Sequence, residues 1–91
     1  MKPKPVTIRM ATTGDLYDLC NVAADIFDNK VDPDLAREYL HDPRHHLAIA
    51  LVDGQIIGMA SAVHYIHPDK NPELFINEAG VDKSVRGNGI G

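Results

Sequence analysis

Asp53-Gly54 separates the two most apolar stretches of the chain. Residues 47–52 form an unbroken apolar run that reads as a buried strand, and residues 55–66 read as its longer partner. Asp-Gly between two such runs is the chemistry of a two-residue β-hairpin, because both central residues of a type I′ turn need positive φ. The middle of the chain is thereby committed to antiparallel sheet. Gly58 marks a candidate bulge in the second strand.

The flanking segments fall into place around this hairpin. Residues 6–10 alternate, with Val6, Ile8 and Met10 on one side, and predict a half-buried strand. Residues 1–5, with two prolines and two lysines, form a flexible lead-in. Thr12 to Asp15 supply turn and N-cap chemistry. Leu16, Leu19, Cys20, Ala23 and Phe27 then recur at helical spacing and predict a helix to about Asp28. Asp32-Pro33 starts a second helix, with aspartate as cap and proline at the first helical position. Leu35, Ala36, Tyr39 and Leu40 line one face of it, and Pro43 ends it near His41. Residues 67–72 are a loop bounded by prolines, residues 74–81 a further strand, and residues 82–91 a polar, glycine-rich loop. The predicted order is β-α-α-β-β-β-loop, a single α/β (α+β) unit.

Composition narrows the function classes. With 91 residues and 44% apolar side chains, the chain holds one modest core. A net charge of -4 argues against a nucleic-acid binder driven by phosphate contacts. A lone cysteine, Cys20, forms no internal disulfide and is read as core on the first helix. Tyr39 and Tyr65 read as packing residues with polar tips. No apolar run reaches the length of a membrane helix, and residues 1–10 lack the apolar segment of a secretory signal. The expected setting is the cytoplasm, with neither membrane nor nucleic acid as partner. No Cys/His spacing makes a zinc site, and His41, His45 and His46 flank Pro43 with no fixed helical face, so no metal is expected. His64 reads as a satisfied sheet histidine.

The glycine-rich end carries the strongest functional signal. Arg86 precedes Gly87-Asn88-Gly89-Ile90-Gly91 directly after a strand, as a diphosphate cradle requires. Glycines bring backbone N–H groups close to phosphate oxygens, and Arg86 adds a fixed cation. Arg86 to Gly91 fits the Arg/Gln-x-x-Gly-x-Gly/Ala pattern of the GNAT superfamily of acyl-CoA-dependent N-acyltransferases. Glu78-x-x-Val81 and the spacing to Arg86 are also similar, and so is the order of elements upstream. The resemblance covers about residues 6–91. It implies a mixed, mostly antiparallel sheet that splays after its fourth strand and admits the pantetheine arm of acetyl-CoA. Gly80 and Val81 would then offer backbone groups to the pantetheine and the thioester, and Arg86 to Gly91 would hold the diphosphate. The family pattern continues with a helix and a fifth strand bearing a thiolate-protonating tyrosine. The chain is therefore expected to be a partial domain of residues 1–91, truncated at the pyrophosphate loop.

Acetyl transfer needs a neutral amine, hence a group that takes a proton. Glu78 is the candidate base. Simple alternation sets it in a row with Leu74, Ile76 and Gly80, where apolar surroundings would raise its pKa. The same alternation puts Glu73, a secondary candidate for substrate contact, on the opposite face. Between Asp15 and Asp42 stand eight acids and two bases, a lip that would concentrate a cation. The resemblance loosely favours the aminoglycoside 3-N-acetyltransferase branch. The expected function is acetyl-CoA-dependent acetylation of a small cationic amine, aminoglycoside- or polyamine-like. The alternatives are protein or peptide N-acetylation and a non-catalytic half-domain that assembles with a partner chain. An exposed sheet edge would favour a homodimer or such an assembly.

Overall fold

The computed structural model of the chain describes residues 4–83. Strand β1 spans Thr7–Met10, a 3-10 turn Thr13–Asp15, helix α1 Leu16–Cys20 and helix α2 Pro33–His41. Strands β2 (His45–Val52), β3 (Gln55–Tyr65) and β4 (Glu73–Val81) follow. They form one sheet in the order β1-β2-β3-β4, antiparallel at every step.

Local chemistry explains most of these elements. Asp53 (φ 51°) and Gly54 (φ 78°) both occupy the left-handed region, so the β2–β3 hairpin closes through the expected turn. Asp32 Oδ1 accepts from the amides of Asp34 (2.9 Å) and Leu35 (3.1 Å) and caps α2 ahead of Pro33. The expected bulge lies beside Gly58: Ala50 pairs with Gly58 but Leu51 with Ile56, so Ile57 is the extra residue.

The core lies on one face of the sheet. Leu47 and Ile49 of β2 and Ile56 and Met59 of β3 pack against Leu19, Ala36 and Ile26. The other face carries Ile8, Met10, Leu74 and Ile76, all more than half exposed, around a floor of small residues such as Ala48, Gly58 and Ala60. The expected burial of the Val6, Ile8, Met10 row is therefore overturned. Ile8 pairs with Ala50 and Met10 with Ala48, which places the row on the face opposite the helices. Leu35, expected on the buried stripe of α2, is 65% exposed as well, while Ala36 is buried.

The first helix is shorter than its periodicity predicts. It stops at Cys20, where Asn21 (φ -116°, ψ 17°) leaves helical geometry and its side-chain amide donates to the Tyr17 carbonyl at 2.7 Å. The chain then descends onto β4 in turns and bends, and Ile26 becomes one of its two most buried large side chains. Ile26 was not on the predicted stripe.

A buried carboxylate ties β1 to the start of α1. Asp15 accepts from both terminal nitrogens of Arg9 (2.8 and 2.9 Å) and from the Thr12 amide (2.7 Å). The Arg9 guanidinium is the main reason that its pKa falls from 3.8 to about 2. The folded-state value is depressed, so the stabilisation is present above the unfolded value and is lost as pH falls from about 4 to about 2. Arg9 remains partly solvated, which discounts the full linkage value to roughly 1–2 kcal/mol. Asp15→Asn is expected to lower stability by that amount at pH 7, and the gap from the parent chain should shrink below pH 4 and close near pH 2. Urea midpoints measured at several pH values check this.

Candidate active site

A second irregularity positions the candidate base. Ser61 pairs with Glu78, but Ala62 pairs with Ile76, so Asn77 is an extra residue in β4. Across a bulge the side-chain parity reverses. Glu78 and Gly80 therefore share the helix-covered face with Met59 and Ser61, while Leu74 and Ile76 point to the bare face. The apolar row expected around Glu78 does not exist. Glu73 is also corrected: it lies on the same face as Glu78, not the opposite one. It sits at the far end of β4, where it binds Lys70 (2.9 Å) and lies 3.6 Å from His67, outside the pocket.

Glu78 opens into a cavity of about 320 Å³. Leu19, Leu47 and Ala36 form its apolar depth, Ser61 and Tyr39 its polar floor, and residues 27–32 its wall. The Tyr39 hydroxyl donates to the His46 carbonyl, which fixes the ring. Burial raises the Tyr39 pKa above its ordinary value. Ser61 is 8% exposed, and its hydroxyl reaches the Glu78 carbonyl at 3.4 Å. Glu78 Oε2 accepts from the Asp28 amide at 2.8 Å.

The wall can lie this close because position 80 is glycine. A Cβ there would stand 1.8 Å from the Ile26 carbonyl oxygen and 2.8 Å from its carbon, both backbone atoms. Gly80 was singled out in the sequence for cofactor contact, and its packing role against Ile26 was missed. A glycine inside a strand was the available signal for close backbone approach. Asp28 was read only as one of the eight acids of the lip, and Ser61 was missed, because it stands in no recognisable motif.

The acidic segment divides by partner. Asp15 pairs with Arg9, Asp34 with Arg37 and Asp42 with Arg44, and Asp32 caps α2. What faces the cavity is Glu78, Asp28 and Asp32, against one cation, Lys30. Elsewhere His46 Nε2 meets His64 Nδ1 at 2.7 Å on the bare face. Among the described residues no group of three or more histidines, cysteines or carboxylates is placed to hold a metal. No helix among them is long and apolar enough to cross a membrane.

Val81 closes β4 opposite Gly58, and β4 is the last strand of the sheet among the described residues. Arg86, Gly87, Asn88, Gly89, Ile90 and Gly91 lie outside those residues.

An antiparallel sheet crossed on one face by two short helices, with a bulged fourth strand carrying a carboxylate into a pocket, makes this an α+β fold. The sequence model of the acetyltransferase (GNAT) family matches residues 14–91, and the chain belongs to that family. No curated protein sequence matches it significantly. Among solved structures it resembles an aminoglycoside acetyltransferase from an uncultured soil metagenomic sample, solved with sisomicin (TM-score 0.77, 20% identity, 94% of this chain and 62% of that one). It also resembles a ribosomal-protein-alanine N-acetyltransferase from Brucella melitensis biovar Abortus 2308 (TM-score 0.75, 21% identity, 94% and 63%). A third is an aminoglycoside N-acetyltransferase in complex with CoA (TM-score 0.72, 23% identity, 98% and 63%). These likenesses establish the fold, and the chain spans a little over three-fifths of the length of the structures it matches.

Gly80→Ala is expected to destabilise the chain by about 1–3 kcal/mol or more, because the new methyl meets backbone that cannot turn away. Gly14→Ala serves as the control. Its Cβ would meet only Thr12 Oγ1 at an ordinary 3.6 Å, so the urea midpoint should move much less.

Proposed function

We propose that the chain forms the acceptor side of an acetyl-CoA-dependent N-acetyltransferase whose substrate is a small cationic amine. The observation that carries this reading is the placement of Glu78, by the Asn77 bulge, in a cavity bordered by Asp28 and Asp32. Three carboxylates against one lysine favour an ammonium group. A cavity of about 320 Å³ suits a small ligand or one ring of a larger one. The aminoglycoside acetyltransferases among the structural neighbours support the same substrate class. One of them is named as a 6′-N-acetyltransferase, so the likeness to the 3-N branch does not fix the acetylated position.

The roles follow from the geometry. Asp28 and Asp32 draw the ammonium group to the wall. Glu78 Oε2 is held by the Asp28 amide, which leaves Oε1 to take the amine proton directly or through a water. Tyr39 and Ser61 shape the floor and exclude bulk water. Acetyl-CoA supplies the activated acyl group. Its pantetheine would lie along β4 at Gly80 and Val81, on the last strand of the sheet among the described residues. Arg86, Gly87, Asn88, Gly89, Ile90 and Gly91 hold the diphosphate.

A second reading, a non-catalytic half-domain that assembles with a partner chain, draws on the exposed row Ile8, Met10, Leu74 and Ile76. Thiol release from acetyl-CoA in the presence of a polyamine, an aminoglycoside and a peptide N-terminus separates the readings. Turnover confined to the first two supports the proposal, turnover with the peptide alone transfers it to peptide acetylation, and none at all favours the half-domain.

Two variants test the roles. Glu78→Gln is expected to lower kcat by about 10²–10⁴-fold and to leave the Kd for acetyl-CoA unchanged, as steady-state kinetics and calorimetry will show. A rise in the amine KM with kcat intact would restrict Glu78 to acceptor binding. Arg86→Ala is expected to weaken acetyl-CoA binding by roughly 1–3 kcal/mol in the same calorimetry.

A further inference from the structure

The carboxylate proposed to accept the proton also holds the wall of the pocket. The segment between α1 and α2 forms that wall and contains no helix or strand of its own. It is tied to the sheet in two ways. Ile26 is buried to 1% exposure with its backbone against Gly80, which anchors one end by packing. Two residues on, the Asp28 amide donates to Glu78 Oε2 at 2.8 Å, which anchors the part that faces the ligand.

We propose that Glu78 acts as a latch on residues 27–32: ionised, it holds them over the acceptor pocket, and on taking up a proton it lets them open. The physical basis is the charge on the acceptor. An amide donating to a carboxylate makes a charge-assisted bond roughly twice as strong as one to a neutral oxygen. A Glu78 protonated at Oε1 leaves Oε2 as a neutral carbonyl oxygen, a poorer acceptor for the Asp28 amide. Ile26 stays seated in either state, so opening is confined to the stretch beyond it.

The surroundings leave Glu78 as the titrating member of this contact. The segment faces it with Asp28, Lys30 and Asp32, α2 with Tyr39, and β3 with Ser61. The hydroxyls of Tyr39 and Ser61 are directed at backbone carbonyls. β2 presents only apolar Leu47.

The consequence rests on the acceptor-pocket reading. When a bound ammonium group passes a proton to Oε1, one N–H bond breaks, one O–H bond forms, and both charges are neutralised. That event removes the charge that held Asp28. Proton acceptance and opening of the pocket wall then become one step, and Glu78 positions the wall as well as taking the proton.

The test is amide hydrogen exchange by NMR on the 91-residue chain without substrate, so it is independent of any turnover assay. The Asp28 amide, corrected for intrinsic rate, should lose protection by about two- to threefold between pH 7 and pH 4. In Glu78→Gln, which keeps an acceptor oxygen without the charge, the low protection should already be present at pH 7 and no longer vary with pH. The Ala11 amide, bonded to the Leu47 carbonyl at 2.8 Å, should not change in either case. Undiminished protection of Asp28 in Glu78→Gln would overturn the latch. So would a pH dependence that survives the substitution, or a parallel loss at Ala11. Failure of the acetyltransferase reading would appear only in the thiol-release assay.

Discussion

One missing side chain sets the depth at which the helical layer meets the sheet. With no Cβ at position 80, the Ile26 carbonyl occupies the space that any other residue would fill. That approach buries Ile26, and two residues later it brings a backbone N–H within 2.8 Å of Glu78. The pocket wall follows from this contact, because residues 27–32 can reach Asp32, the cap of α2, only by crossing in front of Glu78. Steric permission at Gly80 is therefore prior to the electrostatic contact that it makes possible.

The sequence was informative where structure is local. The turn at Asp53-Gly54, the cap at Asp32-Pro33, the bulge beside Gly58 and the order of elements all depend on residues within a few positions of one another. The extent of α1 was not legible, since Ala23 and Phe27 keep helical spacing after the chain has turned away to meet Gly80. Nor was the face of β1, because alternation shows which residues share a side and not which side the helices cover. The surroundings of Glu78 were misread in the same way. Position 78 was identified correctly as a carboxylate on the fourth strand. Its neighbours were wrong, because the extra residue at Asn77 has no signature in a run as regular as residues 74–81. One inserted residue moved Glu78 away from Leu74 and Ile76 and onto the side of Glu73.

The acidic segment shows how composition overstates a field. Eight acids between Asp15 and Asp42 read as a continuous negative lip. Folding turns several of them inward on local partners: Asp15 and Asp42 are drawn below the ordinary carboxylate range by Arg9 and Arg44. Asp32 spends one oxygen on the start of α2. At the cavity Asp28 and Asp32 stand with Glu78. Under the proposed function, such a local set beside an apolar depth would discriminate better than a diffuse lip, because it would draw a cation to one place rather than to a whole surface.

β4 gathers these effects because its two ends obey different constraints. Before Asn77 its helix-side residues are Phe75 and Glu73, which make ordinary hairpin contacts: a T-shaped ring pair with Tyr65 and an ion pair with Lys70. After Asn77 the same face carries Glu78 and Gly80, one supplying charge and the other space. A regular strand would have turned Glu78 to the bare face, where Ala79 now sits, and would have left no carboxylate beneath Asp28. Without the glycine, the bulge would aim Glu78 at a wall standing too far off to donate to it. The site thus depends on two backbone irregularities three residues apart in sequence, acting on opposite sides of one carboxylate.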